Sequence, residues 1–202
     1  MSLLARPGII LDRDGTLIDV VRDEETGTVS VAFHPSQVRL LPGVVEGLTE
    51  LAAAGFGFAI ATNQPGPAKG QYSVQAVERT NSALLELLAQ AQIEIASVEV
   101  CLHHPVGAPA GDAQWVGGCA CRKPKPGLLL HAIEHAHFDP ARSWMIGDSA
   151  TDVLAARAAG LRAALVFPTN RCEICPLRSG PSVGADLVAA RFDELARAIL
   201  RA

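Results

Sequence analysis

Short apolar runs that alternate with longer stretches of helical period constrain the fold of this chain more than any other feature. Gly8 to Leu11, Gly57 to Thr62 and Ser97 to Leu102 read as strands, with helices at Gly43 to Ala54 and Ser73 to Ala91 between them. After a loop rich in Gly, Pro and Cys the alternation resumes, with Pro126 to His137, Trp144 to Gly147, Thr151 to Ala159, Ala163 to Phe167 and a last helix near Phe192 to Leu200. Strands separated by helices imply an α/β fold, a doubly wound and mostly parallel sheet covered on both faces. At 202 residues and 49% hydrophobic, the chain can bury the core of one compact domain, expected to span 1–202. Three irregular stretches interrupt the pattern, at Ile18 to Leu40, His103 to Lys125 and Pro168 to Ala185. Long loops in a compact domain are where function concentrates.

The formal net charge of −4 offers no basic face to neutralise a phosphodiester backbone, so a nucleic-acid partner is not expected. No run of about 18 apolar residues and no charged start before an apolar stretch appears, so neither membrane spanning nor export is expected; a cytoplasmic monomer is. Five cysteines, an odd number, fall in two tight groups, which suits metal ligation better than a secreted disulfide framework.

Asp12 and Asp14 follow directly on the first apolar run, and Asp148 with Asp152 follows the run Trp144 to Gly147. If those strands are parallel neighbours, both acidic pairs meet at the carboxyl edge of the sheet, where ligands bind in open α/β folds. Clustered carboxylates repel unless a cation neutralises them, and hard oxygen donors suit Mg²⁺. The plainer reading is that Asp-Gly and Gly-Asp are turn residues after strands.

Taken together, Asp12-Arg13-Asp14-Gly15-Thr16, Thr62-Asn63, Lys123 and Gly147-Asp148-Ser149-Ala150-Thr151-Asp152 resemble the four ordered motifs of the haloacid-dehalogenase (HAD) superfamily of phosphohydrolases. The resemblance spans about residues 9 to 167. It implies a HAD-like Rossmannoid sheet, with Asp12 as nucleophile toward phosphorus and Asp14 as the acid and base. Thr62, the Asn63 amide and Lys123 would hold the transferring phosphoryl group. Asp12, Asp148 and the Asp14 carbonyl would bind Mg²⁺, with Asp152 orienting the loop and the lysine.

Cys101-Leu-His103 and Cys119-Ala-Cys121 supply four soft or borderline donors, enough to close a structural tetrahedral Zn²⁺ shell. Such a site contributes on the order of 10 kcal/mol to ordering a span with little apolar material. The cluster, with Arg122-Lys123-Pro124 and Thr62-Asn63-Gln64, resembles the capless, zinc-bearing HAD branch that contains the heptose bisphosphate and histidinol-phosphate phosphatases. The long span from His103 to Cys119, and a Gln64 to Gly70 loop resembling Gly-x-Ala-Arg-Gly, favour the heptose side. The loop at 147–152 and the absence of a Gly-Tyr-Val-His stretch lean to the histidinol side. On the heptose reading the substrate is a small phosphorylated sugar, with Arg122, Lys69, Asn63 and Gln64 as binding residues and two phosphates to recognise.

Cys172-Glu-Ile-Cys175 could be redox, metal-binding or incidental, and the incidental or structural reading is preferred because no second ligand pair accompanies it. His131 and His135 read as a solvated helix face, and Arg22 to Glu25 as a charged hairpin flank that could lean over the substrate. The rival classes are a catalytically silent phosphosugar-binding module and a polynucleotide 3′-phosphatase; intact Asp12, Asp14, Lys123 and Asp148 argue against the first, and the acidic balance against the second.

Overall fold

The computed structural model describes residues 5–23, 25–167 and 184–202. Among them the strands are β1 (Gly8–Leu11), β2 (Val21–Arg22), β3 (Val29–Ser30), β4 (Gly57–Asn63), β5 (Ile95–Cys101), β6 (Trp144–Gly147), β7 (Arg162–Val166) and β8 (Leu187–Ala189). Six of them form a sheet in the order β5-β4-β1-β6-β7-β8, with every neighbouring pair parallel. The helices are α1 (Val44–Ala53), α2 (Gly66–Lys69), α3 (Val74–Gln90), α4 (Gly127–Ala136), α5 (Ala150–Ala158) and α6 (Phe192–Leu200).

The period of two along each strand divides the core into two layers. Ile9, Leu11, Phe58, Ile60, Trp144 and Ile146 pack with Leu48 and Leu51 of α1, Leu84 and Leu88 of α3, and Phe192, Leu195 and Ile199 of α6. Ile10, Ala59, Ala61 and Met145 face the other way, against Leu128, Leu129 and Ala132 of α4 and Val153, Ala155 and Ala156 of α5. Both faces of β1 are thus covered, which is why Gly-Ile-Ile-Leu reads as an unbroken apolar run.

The doubly wound parallel sheet expected from sequence is present, and the departures from expectation lie in its connections. The Ile18 to Leu40 stretch is not irregular throughout: β2 pairs antiparallel with β3, while Leu17, Ile18, Ala32 and Val38 sink into the core. This flap therefore has an exposed hairpin tip and a buried root. The Pro- and Gly-rich segment after β4, expected as a loop, contains the single turn α2, closed by Gly70 in the left-handed region. The short β8 is not foreseen from sequence, because three residues are too few to establish a period. Residues 168–183, with Cys172 and Cys175, lie outside the described residues.

Candidate active site

β4, β1 and β6 are adjacent in the sheet, so the residues at their carboxyl ends converge. Asp12 follows Leu11 of β1 and donates its backbone N–H to the Ile146 carbonyl of β6 at 2.9 Å. Thr62 and Asn63 close β4, and Asp148 follows Gly147 of β6. Two glycines permit the approach: Gly15 has φ of +83°, and a side chain there would overlap the Asp148 carboxylate, while one at Gly147 would overlap that of Asp152. A cavity of about 140 Å³ opens at this edge, lined by Asp12, Asp14, Val31, Thr62, Asn63, Lys123, Ser149, Thr151 and Asp152.

Lys123 comes from the loop before α4 and is almost wholly buried. Its Nζ reaches Asp12 Oδ1 at 2.7 Å, Asp152 Oδ1 at 2.6 Å and the Ala61 carbonyl at 2.8 Å. Burial by itself would depress its pKa; the charges of Asp12 and Asp152 outweigh that and hold the ammonium protonated. The loop is fixed by Asn63, whose side chain donates to the Lys123 carbonyl and accepts from the Lys123 N–H, both at 3.1 Å. Asp152 divides its oxygens: Oδ1 meets Lys123, and Oδ2 accepts from the Ser149 N–H at 3.1 Å and its hydroxyl at 2.5 Å at the start of α5.

The carboxylates press on one another. Burial, only partly offset by Lys123, lifts Asp12 to about 6, and burial with the charges of Asp12 and Asp152 lifts Asp148 to about 8. One oxygen from each of Asp12, Asp148 and Asp152 lies within 4.8 Å of the others. Such a cluster suits a hard divalent cation.

Beside this edge a second cluster forms. Cys101 ends β5; its Sγ is 2.9 Å from Cys121 Sγ, 3.7 Å from Cys119 Sγ and 3.9 Å from His103 Nδ1, with Cys121 Sγ 3.6 Å from the same nitrogen. All three cysteines are free thiols. Burial pushes the Cys101 and Cys121 thiols up, whereas at Cys119 burial is outweighed by hydrogen bonding, first from the Arg122 N–H at 3.4 Å. The donor set suits a metal, and it lies in the span leading directly to Arg122 and Lys123.

Residues 120–195 match the HAD-hydrolase-like family model. The chain is 32% identical to the D-glycero-beta-D-manno-heptose-1,7-bisphosphate 7-phosphatase of Escherichia coli K12, over 96% of this chain and 93% of that protein. It is 36% identical to the protein of the same name from Pseudomonas aeruginosa, over 92% and 96%. The chain belongs to the heptose bisphosphate phosphatase family of HAD-like hydrolases. Its fold also superposes on the D,D-heptose 1,7-bisphosphate phosphatase from B. bronchiseptica, a structure complexed with magnesium and phosphate, with a TM-score of 0.75 at 27% identity over 96% of this chain and 98% of that one. As a member of this family, the protein is a phosphoric monoester hydrolase.

Against that family background, the residues singled out from sequence do not all stand where substrate would meet them. Asp12, Asp14, Thr62, Asn63 and Lys123 share the 140 Å³ cavity. Gln64 does not: it is fully buried, donating Nε2 to Asp14 Oδ2 at 2.7 Å and to Thr62 Oγ1 at 2.9 Å. Every polar atom of that side chain is engaged within the protein, with Oε1 accepting from the Tyr72 hydroxyl at 3.1 Å. Lys69, at the end of α2, lines a neighbouring cavity of about 360 Å³ with Val29, Phe33, Pro65 and Tyr72, and the two cavities share Val31. Arg122 donates to the His103 carbonyl at 3.2 Å, tied to the cysteine cluster.

Sequence reasoning missed Arg13. Its guanidinium is fully buried and donates to Asp14 Oδ2 at 2.9 Å, Asp14 Oδ1 at 3.2 Å, the Ala32 carbonyl at 2.7 Å and Asn81 Oδ1 at 2.8 Å. Its place between two motif aspartates was the available signal, although an arginine in that setting reads equally well as solvated. His135 bonds Glu99 on the exposed face of α4 at 2.9 Å.

Proposed function

We propose that this chain removes the 7-phosphate of D-glycero-D-manno-heptose 1,7-bisphosphate through an aspartyl-phosphate on Asp12. Its relationship at 36% identity over 92% of the chain to a 7-phosphatase carries the substrate assignment. The chemistry is supported by the convergence of Asp12, Asp14, Thr62 and Lys123 on one cavity.

An Asp12 carboxylate oxygen attacks phosphorus, the bond from phosphorus to the ester oxygen breaks, and Asp14 delivers a proton to the departing alkoxide. Asp14, now ionised, takes a proton from water; the resulting hydroxide attacks phosphorus, and inorganic phosphate leaves with Asp12 restored. Lys123 and the Thr62 hydroxyl hold the transferring oxygens and offset the charge developing on them. A Mg²⁺ ion held by Asp12, Asp148 and the Asp14 carbonyl would supply charge neutralisation, and the raised carboxyl groups of Asp12 and Asp148 fit a site built to receive a cation. Asp152 serves Lys123 and the start of α5. Cys101, His103, Cys119 and Cys121 fit a closed Zn²⁺ shell: three thiols and one imidazole, whose donor atoms all lie within 4.8 Å of one another. Held there, a Zn²⁺ ion would order the loop carrying Arg122 and Lys123. Arg122 and Lys69 recognise the far end of the substrate.

The reading is of a single domain acting as a monomer in the cytoplasm, where thiols needed by zinc stay reduced. Among the described residues no helix is long and apolar enough to cross a membrane. Phosphate release from heptose 1,7-bisphosphate, histidinol phosphate and a 3′-phosphorylated oligonucleotide tests the assignment. The expected result is a clear preference for the heptose bisphosphate with the anomeric phosphate retained in the product; a preference for histidinol phosphate overturns it.

A further inference from the structure

Asp14 is gripped from four directions. Its Oδ2 accepts from Arg13 Nε at 2.9 Å and Gln64 Nε2 at 2.7 Å, and its Oδ1 from Arg13 Nη2 at 3.2 Å and the Ala32 N–H at 3.1 Å. These contacts engage both oxygens of the carboxyl group, so the set fixes its orientation. Arg13 and the backbone of residue 32 can only donate here. Gln64 can do otherwise, because rotating its amide would put an oxygen where the nitrogen now stands.

The Gln64 oxygen is served by Tyr72, whose hydroxyl donates to Oε1 at 3.1 Å. Gln64 is fully buried, and among the described residues Tyr72 is the donor that serves this oxygen. Were the hydroxyl absent, Oε1 would be a buried acceptor without a partner. Rotation toward the Thr62 hydroxyl would relieve it, at the expense of the bond to Asp14. The Tyr72 ring is itself pinned. It lies over Gly66, where any side chain would collide with it, and stacks on Phe33 of the flap with centroids 5.5 Å apart and planes 7° from parallel. Burial lifts the phenol to about 12, so it keeps the proton it donates.

We infer that Tyr72 is a positioning residue for Asp14, acting through the Gln64 amide, with Phe33 seating its ring. Residues 32 and 33 of the flap thereby govern Asp14 twice, once by the Ala32 N–H and once through the aromatic stack. The inference rests on the reading of Asp14 as the proton donor, and the leaving group separates the two. An alkoxide must be protonated as it departs, whereas p-nitrophenolate leaves without a proton, and kcat/KM reports only steps up to that departure.

The test is Tyr72→Phe, which keeps the ring and its stack, assayed by kcat/KM on a sugar phosphate and on p-nitrophenyl phosphate, with Asp14→Asn on both as reference. The expected result is a loss of about five- to tenfold on the sugar phosphate and less than about twofold on the aryl phosphate. Gln64→Leu should show a larger loss with the same selectivity, and adding Tyr72→Phe to it should cost nothing more. A merely less folded variant would lose both activities alike. Equal losses on both substrates, no loss on the sugar phosphate, or full additivity of the two substitutions would overturn the role of Tyr72 when Asp14→Asn keeps its selectivity. If Asp14→Asn itself lost both activities equally, the proton-donor reading would fail and carry this inference with it.

Discussion

Asp148→Asn should make the magnesium-free protein more stable at pH 8 while abolishing its magnesium-dependent turnover. In the folded chain burial, then the charges of Asp12 and Asp152, lift this carboxyl from 3.8 to about 8. Between those values the folded state keeps a proton that the unfolded state has released. Stability therefore falls as pH rises from about 4 to about 8 and levels off above. Each pKa unit corresponds to about 1.4 kcal/mol, which sets a ceiling on the order of 5 kcal/mol. Asp148 is partly exposed and shares its shift with Asp12, so roughly 2–3 kcal/mol is the expected gain from a neutral amide. Urea unfolding in magnesium-free buffer should place the midpoint of the Asp148→Asn variant about 1 M above wild type at pH 8, with the gap closing toward pH 4. Mg²⁺ at about 100 times its dissociation constant should close the gap, because it adds about 2.7 kcal/mol to the protein that binds it. Equal midpoints without magnesium at pH 8, or a gap indifferent to pH, would show that the carboxylates are not held under mutual repulsion.

Asp12→Asn should fold normally and show no turnover, measured as phosphate release; substantial activity would remove the covalent route. Protein purified without added zinc should contain one tightly bound Zn per chain by elemental analysis. Cys119→Ser should lose that metal together with protease resistance in the 103–125 span, and a metal-free protein with full activity and unchanged resistance would refute the structural role. Arg122→Glu should reduce kcat/KM at least about tenfold more for the bisphosphate than for a monophosphate, since only the former presents a remote anion. Comparable losses would restrict Arg122 to the reacting phosphate.

Local pattern was sufficient wherever the physical cause was itself local. Unbroken apolar runs such as Gly8 to Leu11 announce strands covered on both faces, and in a parallel sheet the residues just past them, Asp12 and Asp148, must share an edge. The tight spacing within Cys101-x-His103 and Cys119-x-Cys121 keeps each pair of donors together, and the fold brings all four within 4.8 Å of one another. Three-residue β8 and the single turn α2 carry too little period to be read.

What the tertiary structure decided was which donors meet which acceptors. Arg13 looks like a solvent-facing charge in sequence but is fully buried, because Asp14, Asn81 and the Ala32 carbonyl, contributed by three different parts of the chain, together satisfy its guanidinium. Gln64 sits in a recognisable substrate motif, yet its side chain faces inward to Asp14, Thr62 and Tyr72. The pairing of Phe33 with Tyr72 joins distant parts of the chain and depends on the flap root being drawn into the core. Spacing rules describe neighbours along one element; a buried polar network is specified by the need of each desolvated group for a partner, and the fold alone determines which partner is within reach.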